Sequence, residues 1–341
     1  MMTQPLGPVM LDIEGTQLSD DERQLLARPE IGGVILFQRN THDAEQVRAL
    51  TRAIRDVRPD VLLAIDQEGG RVQRLQDGVT RLPSMAMLAA GYAEAPEAAR
   101  TLVHEAGWLL GMEMAACGFD ITFAPVLDVD DQRSPAIGDR SFSADPEVVT
   151  VLGEAFIDGL HEAGMIAVGK HFPGHGGVSL DSHHALPEDT RSLSALREHD
   201  LVPFKMLSGK LDAVMPAHVV YTAFDSRPAG FSPSWLGMLR EELAFKGVVF
   251  SDDLSMAGAH VAGSPSARAD AAWAAGCDMV LVCNDRPAAL EILDAAAGHS
   301  SKRLGKLRYG RARPELETLP ALARWRRAHA RLEALSETPT H

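Results

Sequence analysis

The residues that could do chemistry are concentrated in one stretch of the sequence, residues 170–184. It contains one aspartate, Asp181, and four histidines, which are His171, His175, His183 and His184. Asp181 and His183 are two residues apart, a spacing that lets a carboxylate orient or charge an imidazole. Three glycines in the same stretch let the backbone bend, because glycine adopts positive φ without steric cost. A solvated loop with incidental histidines is the alternative, but this density of polar groups directly after an apolar run favours a functional site.

A second group of polar residues follows the apolar run that ends at Phe250, with the order Ser251, Asp252, Asp253. A carboxylate at a strand end that faces a pocket can serve as a nucleophile, a metal ligand or a general base. We predict a structural role for Asp253, because neighbouring side chains in a strand point to opposite faces. Asp252 is therefore the candidate functional carboxylate.

A third group runs from Asp66 to Arg74. Asp66 ends another apolar run, and a carboxylate followed by two glycines is suited to bind vicinal hydroxyls. Arg71 and Arg74 supply planar hydrogen-bond donors. An internal salt bridge between Asp66 or Glu68 and one of these two arginines is the alternative. Arg140 offers one more arginine later in the chain.

The elements that must position these groups alternate regularly along the chain. Apolar β-branched runs occur at 9–13, 32–37, 61–65, 121–125, 165–168, 213–217, 247–250 and 278–283. Helical segments separate them, and continuous apolar strands between helices indicate a parallel sheet that is buried on both faces. Eight such units predict a (β/α)₈ TIM barrel in a single domain of class α/β. A doubly wound sheet is the alternative architecture.

The positions of the polar residues favour the barrel. These residues lie at or just past the carboxyl ends of different runs: Asp66, Asp128, Lys170, His171, His218, Asp252 and Asn284. Barrels assemble their chemistry at that rim from several strands at once. An open sheet would instead concentrate its ligands at one switch point.

Residues typical of helix N-termini support the same alternation of strands and helices. Ser19 with Glu22 forms a capping box, Asp43 precedes a helix to about Val57, and Asp145 precedes a helix with Pro146 in its first turn. Further helices are predicted over about 97–117, 192–207, 232–244 and 266–275.

Composition narrows the class of protein. The 341 residues are 45% hydrophobic and carry a net charge of −14, which argues against nucleic-acid binding. Cys117, Cys277 and Cys283 lie in apolar surroundings, so we expect buried free thiols in a reducing compartment. The first residues contain no basic region followed by a long apolar region, and no apolar run reaches membrane-spanning length. We therefore expect a cytoplasmic protein that does not bind a membrane.

We predict that residues 1–300 form the barrel and that 301–341 form a basic helical segment packed on it or trailing from it. The basic residues Lys302, Arg303, Lys306, Arg308, Arg311 and Arg313 fall in this segment. They indicate either a patch for an anionic partner or, as we favour, a solvated terminal segment in an otherwise acidic protein.

Six ordered blocks of this sequence resemble a known family. They are 66–74 (DQEGGRVQR), 123–129 (FAPVLDV), 138–142 (GDRSF), 170–176 (KHFPGHG), 181–183 (DSH) and 251–256 (SDDLSM). Together they resemble the NagZ-type β-N-acetylhexosaminidases of glycoside hydrolase family 3, over about residues 7–290. The resemblance implies a single-domain (β/α)₈ barrel, in agreement with the strand count. Larger members add a second domain that supplies a glutamate acid, and this chain carries the Asp-x-His loop instead.

The resemblance also implies roles for individual residues in a retaining double displacement. Asp252 becomes the nucleophile, His183 the general acid and then base, and Asp181 its partner. The pair of His183 and Asp181 replaces the second carboxylate that retaining enzymes usually carry. The residues that match family positions holding the N-acetylglucosamine ring are Asp66, Arg74, Arg140, Lys170 and His171. The implied task is peptidoglycan recycling in the cytoplasm, by removal of terminal β-linked N-acetylglucosamine from anhydro-muropeptides. We expect no metal, no cofactor and a monomer.

Three other interpretations remain open at this point. A metal-dependent barrel hydrolase could use His171, His175, His183 or His218 as ligands, although the first strand lacks a His-x-His pair. A non-catalytic sugar-binding barrel would need neither Asp252 nor the Asp-His pair. A family 3 enzyme for glucosides or xylosides would share the fold and the spacing.

Overall fold

The structure is a computed structural model that describes residues 6–130, 134–178, 180, 182, 186–307, 309 and 312–337. The predicted catalytic pair, Asp181 and His183, lies outside the described residues.

A parallel sheet of eight strands forms the centre of the molecule. In chain order the strands are β1 (Val9–Asp12), β2 (Ile31–Leu36), β3 (Leu62–Ile65), β4 (Ile121–Thr122), β5 (Val168–Phe172), β6 (Ala213–Pro216), β7 (Val248–Asp253) and β8 (Met279–Val282). Their spatial order is β4-β3-β2-β1-β8-β7-β6-β5. Parallel bridges from Ile121 to Ile166 and from Val126 to Lys170 join the two outer members. The predicted (β/α)₈ barrel is confirmed, and the doubly wound alternative is excluded.

The helices surround this barrel. They are α1 (Asp20–Leu26), α2 (Ala44–Val57), α3 (Met85–Ala89), α4 (Pro96–Ala116), α5 (Pro146–Ala163), α6 (Leu193–Glu198), α7 (Leu201–Leu207), α8 (Pro233–Glu241), α9 (Pro265–Ala275), α10 (Arg286–Ala295) and α11 (Ala323–Ser336). The capping box at Ser19 and the side-chain caps at Asp43 and Asp145 are confirmed. Short 3₁₀ helices occur at Gln38–Asn40, Gly138–Arg140, Ala229–Phe231, Ala257–Ala262, Leu304–Lys306 and Leu316–Ala321.

The predicted helix over 192–207 is two helices, and the single-helix prediction was wrong. Helix α6 ends at Glu198 and α7 begins at Leu201. Pro203 lies in the first turn of α7, where its missing N–H costs nothing. In a continuous helix, Pro203 would lose its bond to the carbonyl of His199 and clash with it. The chain therefore breaks at His199 and Asp200.

Strand alternation separates two apolar regions. Met10, Leu62, Phe123 and Phe250 belong to a cluster inside the barrel. Their strand neighbours face a larger cluster between the strands and the helices, as Val9 does in β1. The period of two in a strand produces this division, because successive side chains point to opposite faces.

The segment after residue 300 is in contact with the barrel. Leu304 and Leu307 are buried in the inner cluster. Trp325 of α11 donates to the carboxylate of Glu113 in α4 at 3.0 Å, and Arg324 pairs with Glu105 of the same helix at 2.9 Å. The domain boundary at residue 300 stays a prediction.

The fifth strand begins later than its apolar run. The sequence predicts a strand over 165–168, whereas β5 runs from Val168 to Phe172. Lys170 and His171 are therefore strand residues and do not follow the strand. Backbone pairing with Met215 of β6 draws Lys170 into the ladder, which an apolar pattern alone does not indicate.

Candidate active site

A cavity of about 570 Å³ opens at the carboxyl ends of the strands. Its lining includes the described residues predicted for the site, which are Asp66, Arg74, Arg140, Lys170, His171 and Asp252. They come from four different strands or the loops that follow them. The barrel thus brings together side chains up to 186 positions apart in the sequence, from Asp66 to Asp252.

A buried cluster of charges forms one wall of this cavity. The Glu68 side chain is only 3% exposed and accepts two bonds from Arg140, at 2.9 and 2.8 Å. Lys170 Nζ lies 2.6 Å from the same carboxylate. Burial opposes ionisation, but the charges of Arg140 and Lys170 hold the pKa of Glu68 well below its usual range. Glu68 is therefore ionised at any physiological pH and fixes both cations.

Asp66 sits at the edge of this cluster and is more open. Its side chain is 20% exposed and lies 3.1 Å from Lys170 Nζ. Arg74 Nη2 is 3.9 Å away, too far for a hydrogen bond. A carboxylate flanked by two cations at a cavity wall can accept hydrogen bonds from hydroxyl groups of a ligand.

The alternative of an internal salt bridge is realised mainly with an arginine other than Arg71 or Arg74. Glu68 pairs with Arg140 and Lys170, whereas Asp66 and Arg74 are 3.9 Å apart. Arg71 turns away to Asp139, at 3.0 Å, and to the carbonyl oxygens of residues 135–137. Arg140 consequently presents a guanidinium whose Nε and Nη2 are already bound to Glu68.

His171 is held by a buried carboxylate. Asp128 is fully buried and lies 2.7 Å from His171 Nδ1. The backbone N–H groups of His171 and His175 donate to the other oxygen of Asp128, at 3.1 and 2.6 Å. Burial opposes ionisation of Asp128, yet His171 and these donors lower its pKa. Burial lowers the pKa of His175, which favours its neutral form.

The two adjacent aspartates of β7 have different hydrogen-bond partners. Asp253 accepts hydrogen bonds from Ser255 N, Ser255 Oγ and Cys283 N, at 2.8 to 3.0 Å, which supports a structural role. Burial raises the pKa of Asp253 to about 7. Asp252 Oδ1 accepts the N–H of Asp253 at 2.8 Å, and both aspartates line the cavity. Because three donors already bind the oxygens of Asp253, Asp252 stays the candidate of this pair for chemistry.

Ser182 is the described residue between the two predicted catalytic positions. It is 3% exposed and lines the cavity. Its hydroxyl lies 3.2 Å from His175 Nε2, and its carbonyl accepts the N–H of Gly258 at 3.0 Å. The residue between Asp181 and His183 is therefore attached to the cavity wall.

Glu68, Asp128 and Ser182 are the residues that sequence reasoning missed as parts of the site. Glu68 was considered only as an ion-pair partner, although its position two residues after Asp66 matches the same rim. Asp128 was placed at a strand end without a role. Ser182 carried no signal beyond its place between Asp181 and His183.

Among the residues that the structure describes, no three His, Cys, Asp or Glu side chains converge in a way that could hold a metal ion. In the same part of the chain, no helix is both long and apolar enough to cross a membrane. Cys117, Cys277 and Cys283 are buried free thiols, as predicted.

The sequence and the fold match proteins of known class. Residues 6–303 match the model of the glycosyl hydrolase family 3 N-terminal domain. A β-hexosaminidase of Pseudomonas aeruginosa is 57% identical over 284 residues, which is 83% of this chain and 84% of that protein. A β-hexosaminidase of Alkalilimnicola ehrlichii is 50% identical over 98% of both chains. NagZ from Neisseria gonorrhoeae in complex with N-trifluoroacetyl-D-glucosamine superposes with a TM-score of 0.92, at 42% identity over 98% of this chain and 99% of that chain.

A barrel with converging carboxylates and cations at its carboxyl-terminal rim, matched over its whole length by glycosidases, is a glycoside hydrolase. The chain belongs to glycosyl hydrolase family 3, and within that family it is a β-hexosaminidase. The resemblance noted in the six sequence blocks is confirmed.

Proposed function

We propose that the enzyme is a retaining exo-β-N-acetylglucosaminidase. It removes terminal β-linked N-acetylglucosamine from peptidoglycan-derived anhydro-muropeptides, in peptidoglycan recycling in the cytoplasm, and works as a monomer without a cofactor. The observation that carries the proposal is the position of Asp252 in the same cavity as Asp66, Lys170 and His171. The N-acetylglucosamine analogue bound to the gonococcal NagZ supports the choice of sugar.

In the proposed sugar complex, Asp66 accepts hydrogen bonds from sugar hydroxyl groups, Arg74, Arg140 and Lys170 donate hydrogen bonds, and His171 contributes Nε2 of its ring. Hydrogen bonds that involve a charged group are about twice as strong as neutral ones and are directional. Because Glu68 fixes Lys170 and Arg140 before any ligand arrives, these donors lose little conformational freedom on binding.

In the proposed first step, the Asp252 carboxylate attacks the anomeric carbon. The bond from that carbon to the leaving oxygen breaks, and the oxygen takes a proton from the His183 imidazolium. The N–H of Asp253 that donates to Asp252 favours the ionised nucleophile.

In the second step, neutral His183 takes a proton from water while the water oxygen attacks the anomeric carbon. The bond to Asp252 breaks and its carboxylate is restored. An imidazole suits both demands, since its ordinary pKa of about 6.5 lies near neutral pH, and Asp181 stabilises the charged form. The placement of Ser182 on the cavity wall supports the assignment of its two neighbours.

Trapping tests the nucleophile. A 2-acetamido-type substrate with a fluorine that slows the second step is expected to label Asp252, which peptide mass spectrometry identifies. Proton NMR of the first-formed sugar should show the β-anomer. A label on Asp253, or an α-anomer, contradicts the proposal.

Substrate choice is tested separately with a panel of 4-nitrophenyl β-glycosides. The N-acetylglucosaminide is expected to be the best substrate by kcat/KM. A preference for the glucoside or xyloside would refute the sugar assignment without affecting the nucleophile.

A further inference from the structure

The carboxylate of Asp128 accepts hydrogen bonds from three N–H groups. Its Oδ1 accepts the backbone N–H groups of His171 and His175, at 3.1 and 2.6 Å. Its Oδ2 lies 2.7 Å from His171 Nδ1. The carboxylate is completely buried and has no arginine or lysine among these partners. Its bonds therefore serve the strand that carries His171 and the turn that follows.

The position of Asp128 is fixed by the backbone at the closure of the barrel. Leu127 N donates to the Lys170 carbonyl at 2.7 Å, and Val126 bridges to Lys170. Ser141 Oγ donates to the carbonyl of Asp128, also at 2.7 Å. The carboxylate is thus attached to the same backbone that it organises, which leaves it little freedom to move.

This geometry decides where the proton of His171 resides. An ionised carboxylate can only accept hydrogen bonds, so the ring nitrogen that faces it must carry the proton. Nδ1 of His171 is that nitrogen. Nε2, on the far side of the ring, has no hydrogen-bond partner among the described residues, and the ring lines the cavity.

We propose that Asp128 is a positioning residue for substrate binding. It holds the His171 ring so that the protonated Nδ1 donates to the Asp128 carboxylate and Nε2 faces the sugar. The inference rests on the proposed sugar-binding role of His171. It adds a specific cause for the state of that ring, supplied from the segment that follows β4.

Asp128→Asn separates this role from a structural one. The amide oxygen of asparagine can still accept the N–H groups of His171 and His175. Its NH₂ group then faces His171 Nδ1 and can only donate, so the ring must move its proton to Nε2. Asp128→Asn keeps the shape of the side chain and its hydrogen bonds to the backbone. It changes Nε2 of His171, which faces the cavity, from an acceptor to a donor.

The change in the His171 ring can be measured by ¹⁵N NMR and by enzyme kinetics. In the unliganded enzyme, ¹⁵N NMR should show Nδ1 of His171 protonated in wild type and unprotonated in Asp128→Asn, with the signal assigned by its loss in His171→Gln. In kinetics on 4-nitrophenyl N-acetyl-β-glucosaminide, KM should rise about tenfold or more, because a polar group in the complex loses its partner. The value of kcat should change less than KM, as expected for lost binding.

Asp120→Asn is the matched control. Asp120 is also buried and also accepts a backbone N–H, from Leu63 at 2.9 Å, but it lies at the other end of the barrel. The Asp120→Asn variant should have a lower melting temperature than wild type, while both the His171 signal and KM stay unchanged.

An unprotonated Nδ1 in wild type, a ring that keeps its tautomer in Asp128→Asn, or an unchanged KM in that variant overturns the inference. If wild type does not hydrolyse the substrate at all, the proposed function fails, and the NMR result still decides the state of His171.

Discussion

The two ends of the barrel use the same residue, aspartate, for different purposes. At the amino-terminal end, Asp120, Asp212 and Asp278 each directly precede a strand. Each accepts the N–H of a residue at the start of another strand, from Leu63, Ala167 and Val249 respectively, at 2.9 Å. At the carboxyl-terminal end, Asp66 and Asp252 line a cavity instead.

The partners explain the difference. Asp278 is bound by Arg240, Arg303, Ser301 and a backbone N–H, all within 3.1 Å. A carboxylate with its acceptor sites filled in this way can stabilise the fold but cannot bind a ligand. Asp66 has one contact near 3 Å and a second at 3.9 Å. The comparison teaches that position along the strand, rather than residue type, separates stability from chemistry.

The largest expected effect is at the catalytic end. Asp252→Asn should lower kcat/KM by roughly 10⁴-fold, since a nucleophile acts as part of one catalytic unit. The free energy of unfolding should change little, because asparagine can still accept the N–H of Asp253. Steady-state kinetics and urea denaturation of the same preparation measure both. A variant that loses stability and keeps activity would reverse the comparison.

His183→Ala tests the role of the proposed acid at the same end. General acid catalysis contributes about 10²–10⁴-fold, and a sugar leaving group needs the proton while a dinitrophenolate scarcely does. The kcat/KM on a natural disaccharide should fall by that factor and be largely retained on the dinitrophenyl glycoside. Equal losses on both substrates would remove His183 from this role, and His175 or His184 would be tested next.

Asp278→Asn is the corresponding change at the amino-terminal end. It leaves Arg240 and Arg303 without their carboxylate, and breaking a buried ion pair costs about 3–5 kcal/mol. Urea denaturation should show that loss in the free energy of unfolding, while kcat/KM of the folded enzyme stays at the wild-type value. A loss of activity without a loss of stability would show that the two ends are coupled.

Glu113 offers a third case, a buried carboxyl bound by Thr80 and Trp325 with no cation among these partners. Burial raises its pKa from 4.5 to about 7. Between these values the unfolded chain is ionised while the folded protein keeps the proton, so stability falls as pH rises from about 4.5 to 7. The expected loss is up to about 3 kcal/mol, measured by denaturation across this range. Burial raises the pKa of Asp253 to about 7 as well, so Glu113→Gln should remove only the part of this slope that Glu113 contributes. An unchanged slope would assign the whole of it to other groups.

The sequence predicted the strands and helices of the barrel because the signals for them are local in the chain. Apolar runs and capping residues depend only on neighbours in the chain, and the caps at Ser19, Asp43 and Asp145 formed as expected. The break between α6 and α7 was also encoded locally, in Pro203, although the longer helical pattern concealed it. The site residues Asp66, Arg74 and Asp252 were found because a barrel makes strand ends converge.

By itself, the sequence determined the barrel, the rim that carries the chemistry, and the residues placed there. Only the tertiary structure decided which charges pair: that Glu68 takes Arg140 and Lys170, that Arg71 turns to Asp139, and that Asp128 holds His171. The physical reason is that pairing depends on distances of about 3 Å between side chains far apart in the chain. Hydrophobic periodicity fixes which face a residue occupies, whereas the partner it meets there is set only when the strands close into a barrel.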